Sequence, residues 1–384
     1  MDDEFYRLLT LYSIGLTSIA FISILTYFIS NKFSLKINKK TSYFVFFFSL
    51  LFYIFSILYL TFGKINALHH YVDFATHLEI LWRNYQGLGL TTLMSENYHG
   101  GSHWFAAHFT PIIYLTYIPA FTIFPSPYVV PISQTFFILT SLIPLWLISK
   151  KYINENLSRL YVSCFLFYPT VFYMNLYGIA YIEISIPLLL WTFYFFEKKN
   201  NLLFFILLIL SIMTREEVSL VTCFLGIYIL LKKKYFLGFF TILLSIIYFY
   251  LVVFIIMPSF RNENYQQVHV AAVWWKEWGN TYSEIIINIL FNPMEFLKKI
   301  LVPPKIGNFV ILLIPLLFLP LFNFLRFLIA LPNLTITFLS FSITHSSYIL
   351  YYVAPSIAVF FYSTISVINK ISKYRLFNQN ALVT

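Results

Sequence analysis

Long apolar runs separated by short polar joints dominate the chain, and their lengths set the first expectation. A helix needs roughly 20 apolar residues to cross a bilayer, and fewer where neighbouring protein encloses it. On this pattern helices are predicted at about 8–30, 42–62, 129–149, 159–178, 181–196, 202–214, 218–231, 236–257, 309–326, 327–343 and 346–368. The fold class is therefore all-α, a polytopic bundle of about eleven transmembrane helices. The run 108–124 is amphipathic at its start and interrupted by Pro111, Pro119 and Pro125, which predicts a juxtamembrane or re-entrant helix. Residues 258–308 are predicted as a long loop. The pair 202–214 and 218–231 is short: about 13 residues at 1.5 Å each falls well below a hydrocarbon core of roughly 30 Å. The joint between them, Thr214-Arg215-Glu216-Glu217, is thus expected to sit below the surface in a wet cavity.

One polar stretch stands out against this background. Lys64 to Pro111 holds six of the eight histidines, His69, His70, His77, His99, His103 and His108, together with Asp73, Glu79, Trp82, Arg83, Glu96 and Trp104. In a chain that is 60% hydrophobic and 10% charged, such a segment is expected to form a recognition or reaction surface. Asp73 and His77 are four residues apart, as are His99 and His103, so each pair shares a face if helical. Metal ligation by such pairs is chemically feasible. His99-Gly100-Gly101 reads as a loop, however, so no metal site is assigned and a divalent metal is left open.

Composition and charge sharpen the class. With 384 residues, 45 Phe, 30 Tyr and a mean hydropathy of +0.78, the chain is too apolar for a water-soluble domain. The net charge of +10 sits in short clusters between apolar runs, the pattern that orients membrane helices and not a nucleic-acid surface. Lys32, Lys36, Lys39 and Lys40, Lys150, Lys151 and Arg159, Lys198 and Lys199, Lys232 to Lys234, Arg326, and Lys370, Lys373 and Arg375 fall on one predicted face, 16 of the 25 basic residues. The positive-inside rule makes that face cytoplasmic. Thirteen of the fifteen acids fall on the other side, with the Lys64–Pro111 stretch, the turn near Gly178, the 214–217 joint and the turn at His345. The acidic start MDDEFYR and the long first run read as a retained helix. Cys164 and Cys223 lie in separate apolar runs and are read as packing residues. Trp274, Trp275 and Trp278 suggest an interfacial belt, with a stacking platform for sugar or lipid as the alternative. No GxSxG, P-loop, HExxH or dinucleotide fingerprint is present.

Several segments together resemble a known family. Val72-Asp73-Phe74, Leu81-Trp82, Gly87, His108-Phe109-Thr110-Pro111-Ile112, Arg215-Glu216-Glu217, Trp278-Gly279, Ser283-Glu284-Ile285-Ile286, Asn292-Pro293, Tyr351-Tyr352 and Ala354-Pro355 occur in order over about residues 44–365. They resemble a family of prokaryotic membrane proteins designated DUF2079, which is in turn similar to the GT-C glycosyltransferases. That resemblance implies a seven-helix core (42–257) with an outer loop at 64–128 and a variable part (258–384), preceded in this chain by an extra helix and cytoplasmic loop (1–41). It implies a plasma-membrane enzyme that transfers a sugar from a polyprenyl-phosphate donor to a glycan, lipid or protein acceptor on the extracytoplasmic face. Asp73 matches the loop acid, the catalytic base. Arg215 falls where related enzymes carry a basic residue, and would hold the donor phosphate. His77, Glu79, His108, Glu183, Glu216 and Glu217 would bind or support substrate. Tyr181 departs from the histidine usual before the acid at Glu183, and the helix at 8–30 is an addition. A transporter or flippase, or a non-catalytic lipid- or partner-binding subunit, remains the alternative.

Overall fold

The computed structural model describes Gly15 and residues 38–95, 100–262, 274–279 and 281–381, and the side chains of these except residues 282, 283 and 372–381. Apart from Gly15, the predicted helix at 8–30 lies outside this set, as do Glu96, His99, Glu263 and His269. Among the described residues the fold is all helical, with one isolated bridge between Thr91 and His103.

Helix α1 (Lys39–Asn66) opens with Asn38 accepting the Thr41 amide at 2.8 Å, and runs 28 residues through Phe- and Leu-rich sequence. The polar stretch that follows folds into α2 (Val72–Tyr85), then an irregular segment, a 3₁₀ turn at Pro111–Leu115 and a short α3 (Tyr117–Ile123). That last pair is too short to span. Helices α4 (Val129–Thr140) and α5 (Leu142–Ser149) form one continuous apolar element. The single helix expected at 159–178 is two: α6 (Glu155–Leu166) and α7 (Pro169–Tyr177). Pro169 explains the break, since it lacks an N–H and disfavours a helical residue before it while suiting the first position of a new helix.

Helices α8 (Ser185–Lys198), α9 (Asn201–Ile212), α10 (Val218–Leu231) and α11 (Tyr235–Leu251) follow with tight joints, and α11 continues through a π-turn to Ser259. Gly226 and Gly238 let α10 and α11 approach closely. A Cβ on Gly226 would fall 2.9 Å from the Ile242 amide nitrogen, and one on Gly238 would fall 2.9 Å from the Gly226 carbonyl oxygen.

The region expected as a loop at 258–308 is largely helical where described. It contains α12 (Tyr282–Phe291), α13 (Pro293–Ile300) and α14 (Pro303–Leu313), each new helix starting on or just after a capping Thr or a Pro. The helix expected at 309–326 therefore begins earlier and ends at Leu313, where Pro315 and Pro320 turn the chain into 3₁₀ segments. After α15 (Leu331–Leu339) the chain turns at Ile343–Ser346 and enters α16 (Ala354–Ala381).

Among the described residues four helices are long and apolar enough to cross a membrane, or five counting the pair Pro293–Ile300 and Pro303–Leu316, which bends by 72°. Their burial differs. The best window of the 351–371 element is 94% buried, whereas those of α1 and Tyr235–Ser259 are 22% buried. The former is the central post of the bundle; the latter two expose Phe and Leu faces such as Phe44, Phe55, Phe236 and Ile246.

The two ends of α10 divide the polar chemistry. At its C-terminal end Lys151, Lys232, Lys234, Arg326 and Glu197 line an open bowl of about 540 Å³. Arg326 is buried there and donates to the Tyr362 carbonyl (2.6 Å), Tyr152 hydroxyl (2.6 Å) and Glu197 (2.9 Å). At its N-terminal end, about 21 Å away at 1.5 Å per residue, lies the 214–217 joint.

Candidate functional site

Asp73 stands in the first turn of α2, where the N-cap position belongs to Tyr71 and carries no side-chain cap. A capping role for Asp73 is thus absent. Its Oδ2 accepts instead from Tyr177 (2.9 Å) and Tyr351 (3.2 Å), residues 104 and 278 positions away. With both phenols on one oxygen, Oδ1 is the atom left for a further partner. Tyr71 stacks on Tyr177 at 4.4 Å, fixing one of the two donors from behind.

Arg215 is buried at the joint of α9 and α10. Its guanidinium carbon lies 5.8 Å from the Tyr351 ring centre and 5.6 Å from that of Tyr352, so Tyr351 touches the acid with its hydroxyl and neighbours the arginine with its face. Arg215 Nη2 lies 2.9 Å from His108 Nε2, and its Nε is 3.0 Å from Glu217 Oε2, an ion pair not aligned as a hydrogen bond. A guanidinium only donates, so His108 Nε2 must offer its lone pair and the proton sits on Nδ1. That Nδ1–H then donates to Glu216 Oε1 at 2.7 Å, and the Phe109 amide donates to Glu216 Oε2 at 3.1 Å. The tautomer follows from the arginine, and the two halves of the site are locked together through one imidazole. Burial, then the Arg215 charge, lowers the His108 pKa, with Glu216 opposing. Burial works against the Arg215 charge too, but Glu217 and Glu216 more than offset it, so the guanidinium stays protonated.

These groups share one cavity of about 500 Å³. Asp73, His77, His108, Arg215, Glu216 and Glu217 all line it, so Asp73 and Arg215, 142 positions apart in sequence, share one cavity. His77 is buried against Trp104 (4.9 Å) and Tyr181 (4.7 Å), with Nδ1 unpartnered. Burial, with the charges of His108 and Arg215, lowers its pKa to about 3, so it is neutral at working pH and cannot serve as a proton donor in its charged form.

Two residues expected in the site are elsewhere. Glu79 points to the neighbouring backbone: it takes the Thr92 hydroxyl (2.6 Å), the Leu93 amide (3.3 Å) and Arg83 (3.3 Å), pinning 91–93 to α2. Glu183 is fully buried beside the cavity wall, accepting from the Tyr117 hydroxyl (2.8 Å) and the Ala180 amide (3.3 Å). It holds the turn in which Gly178 (φ 124°) and Tyr181 (φ 65°) both take positive φ. Ala180 of that turn does line the cavity, so Glu183 acts on its shape.

Of the three tryptophans, Trp278 is buried with Ile285 and Leu339, and Trp274 and Trp275 line the cavity. Tyr177, Tyr351, Tyr352 and His345 complete the set that the sequence did not single out as site residues. The Tyr351-Tyr352 pair ahead of the last apolar run was the available signal.

His108, Glu216 and Glu217 offer three ligand atoms within 4.8 Å of one another, a donor set that suits a divalent cation. Both imidazole nitrogens are already engaged, however, and Arg215 holds Nε2 and Glu217. A metal there would have to displace the guanidinium. Of the pair His99 and His103, His99 lies outside the described residues, and His103 caps a 3₁₀ turn, its Nδ1 accepting the Phe105 amide (3.1 Å).

Residues 71–383 match the family DUF2079, described as a predicted membrane protein. The chain belongs to the DUF2079 family. The match begins two residues before Asp73 and covers every residue lining this cavity, so the site is part of the DUF2079 region itself. No curated protein and no solved structure matches the chain.

Proposed function

We propose that this protein is a membrane glycosyltransferase that moves a sugar from a polyprenyl-phosphate donor to an acceptor hydroxyl at the extracytoplasmic face of the plasma membrane. The observation that carries this reading is the joint presence of Asp73 and the buried Arg215 on one cavity, bridged by Tyr351. In the reaction the acceptor hydroxyl gives its proton to Asp73 Oδ1. Its oxygen bonds to the sugar's anomeric carbon, and the bond from that carbon to the phosphate oxygen breaks. The departing polyprenyl phosphate keeps the electron pair, and Arg215 stabilises its charge. His108 and Glu216 hold Arg215 in place, and a glycan, lipid or protein serves as acceptor.

The GT-C-like arrangement belongs to the same proposal. It takes α1, α4–α5, α6–α7, α8, α9, α10 and α11 as the seven core helices, the short ones crossing inside a protein-lined bundle, with about eleven spans in the whole chain.

Asp73→Asn keeps the size and the phenol contacts while removing the base. General-base catalysis is worth about 10²–10⁴ in rate, so transfer from purified polyprenyl-phosphate sugars should fall by that factor with donor affinity retained. Arg215→Ala should lose donor binding as well. Undiminished turnover by Asp73→Asn would remove the base, and failure of a broad donor panel to bind wild type would favour a transporter or a binding subunit.

A further inference from the structure

The half of the cavity that the proposed chemistry leaves unused is aromatic. His345 lies 4.5 Å from the Trp274 ring centre, 6.2 Å from Trp275 and 4.3 Å from Tyr352, and Tyr352 lies 4.4 Å from Tyr351. The strip is assembled from three separate segments, 274–275, 343–346 and 351–352, and is braced from behind. Trp274 stacks on Phe341 at 5.3 Å, and its carbonyl accepts the Phe341 amide at 3.0 Å. Trp275 spends its indole N–H on the Ile336 carbonyl (3.1 Å). The polar edge of Trp275 is thus satisfied within the protein, and its ring is left as an apolar surface at the cavity.

We propose that this strip is a pyranose-binding subsite: the C–H face of a monosaccharide stacks on Trp274 and Trp275 while its hydroxyls reach the carboxylates and histidines lining the same cavity. A sugar ring is the ligand with one apolar face and a rim of hydroxyls, which matches an aromatic surface and several hydrogen-bonding groups in one enclosure. A bare lipid chain would give no hydrogen bond to His77 Nδ1 or to Asp73 Oδ1. A cationic headgroup would meet a strip whose Tyr351 and Tyr352 faces already carry Arg215. The volume of about 500 Å³ admits a monosaccharide and its phosphate. The strip runs to Arg215 through Tyr352, so a ring on the tryptophans and a phosphate on the guanidinium are parts of one ligand. That last step rests on the transferase reading; the pyranose subsite itself does not.

The test uses the full chain in nanodiscs, with Trp274→Leu, His345→Ala and the ring-preserving Trp274→Phe. Two readouts are taken: tryptophan fluorescence with a panel of methyl pyranosides, and the affinity for polyprenyl phosphate with and without a hexose. Wild type should bind the hexose-bearing lipid about tenfold more tightly than the bare one, the size of one good stacking contact. Trp274→Leu and His345→Ala should abolish that preference without changing affinity for the bare lipid, and Trp274→Phe should restore most of it. Pyranoside quenching lost in Trp274→Leu, with no lipid phosphate bound by any variant, would uphold the subsite and sink the transferase reading. A preference unchanged in both loss variants, or wild type responding to no pyranoside and no glycolipid, overturns the proposal.

Discussion

At the scale of single residues the site turns on the state of one imidazole. His108 accepts from Arg215 on Nε2 and donates to Glu216 on Nδ1, so a second proton would break the arginine contact and set two cations against each other. Its pKa in the folded protein is below the ordinary histidine value, and His77 and His345, both about 3, share the direction and the leading cause, burial. Where the folded pKa is depressed, the unfolded chain binds more protons between the two values and stability rises with pH there. The contribution is complete above about pH 6.5 and is lost as pH falls below it. Thermal stability followed from pH 8 to pH 4 should be flat above neutrality and decline under acid, and His108→Gln, which can still donate and accept, should make that decline shallower. A melting temperature that rises on acidification would contradict the assignment. Arg215 carries a second consequence at this scale. Arg215→Met frees His108 Nε2 and Glu217, so Mn²⁺ should bind the variant at least about tenfold more tightly than wild type by calorimetry, the worth of one released charge contact. Equal Mn²⁺ affinity would mean that the guanidinium does not hold the cation position.

Elements account for what the sequence disclosed and what it withheld. Period and run length placed α1, α4–α5 and α8 to α11 within a few residues, because apolar runs bounded by Lys or Asn-capped turns leave little choice. Pro169 and Pro315 moved boundaries that run length alone missed, each breaking an apolar stretch, and Pro303 starts a helix inside the stretch expected as a loop. The joint at 214–217 was legible from the shortness of its two helices. Glu183 was not, since family likeness drew it to the site while packing turned it toward Ala180 and Tyr117. The removal of such an acceptor strands two buried donors, each costing about 1–3 kcal/mol. Glu183→Ala should therefore lower the melting temperature markedly and leave donor affinity of the folded fraction near wild type. A selective loss of affinity with unchanged melting would make Glu183 a ligand contact. The aromatic strip was hidden for another reason. Its members are up to 78 positions apart, and tryptophan clusters in membrane proteins ordinarily signal an interface.

For the whole molecule the deciding feature is the separation of two polar ends by one helix length. Lys151, Lys232, Lys234 and Arg326 surround a bowl at one end of α10, and Asp73, His108 and Arg215 surround the cavity at the other. Clustered lysines at helix ends stay on the cytoplasmic side because moving them across costs more than leaving them, so the cavity should face away from the cytoplasm. Lys233 and Lys276 are both exposed, one beside each end, and make suitable reporters. With Cys164 and Cys223 replaced, Lys276→Cys should react with an impermeant maleimide in intact cells, and Lys233→Cys only after permeabilisation. The reverse pattern would put the cavity on the cytoplasmic side. The donor would then have to be presented from the inner leaflet, and an outward-facing transferase would be untenable even with Asp73 and Arg215 in their observed places.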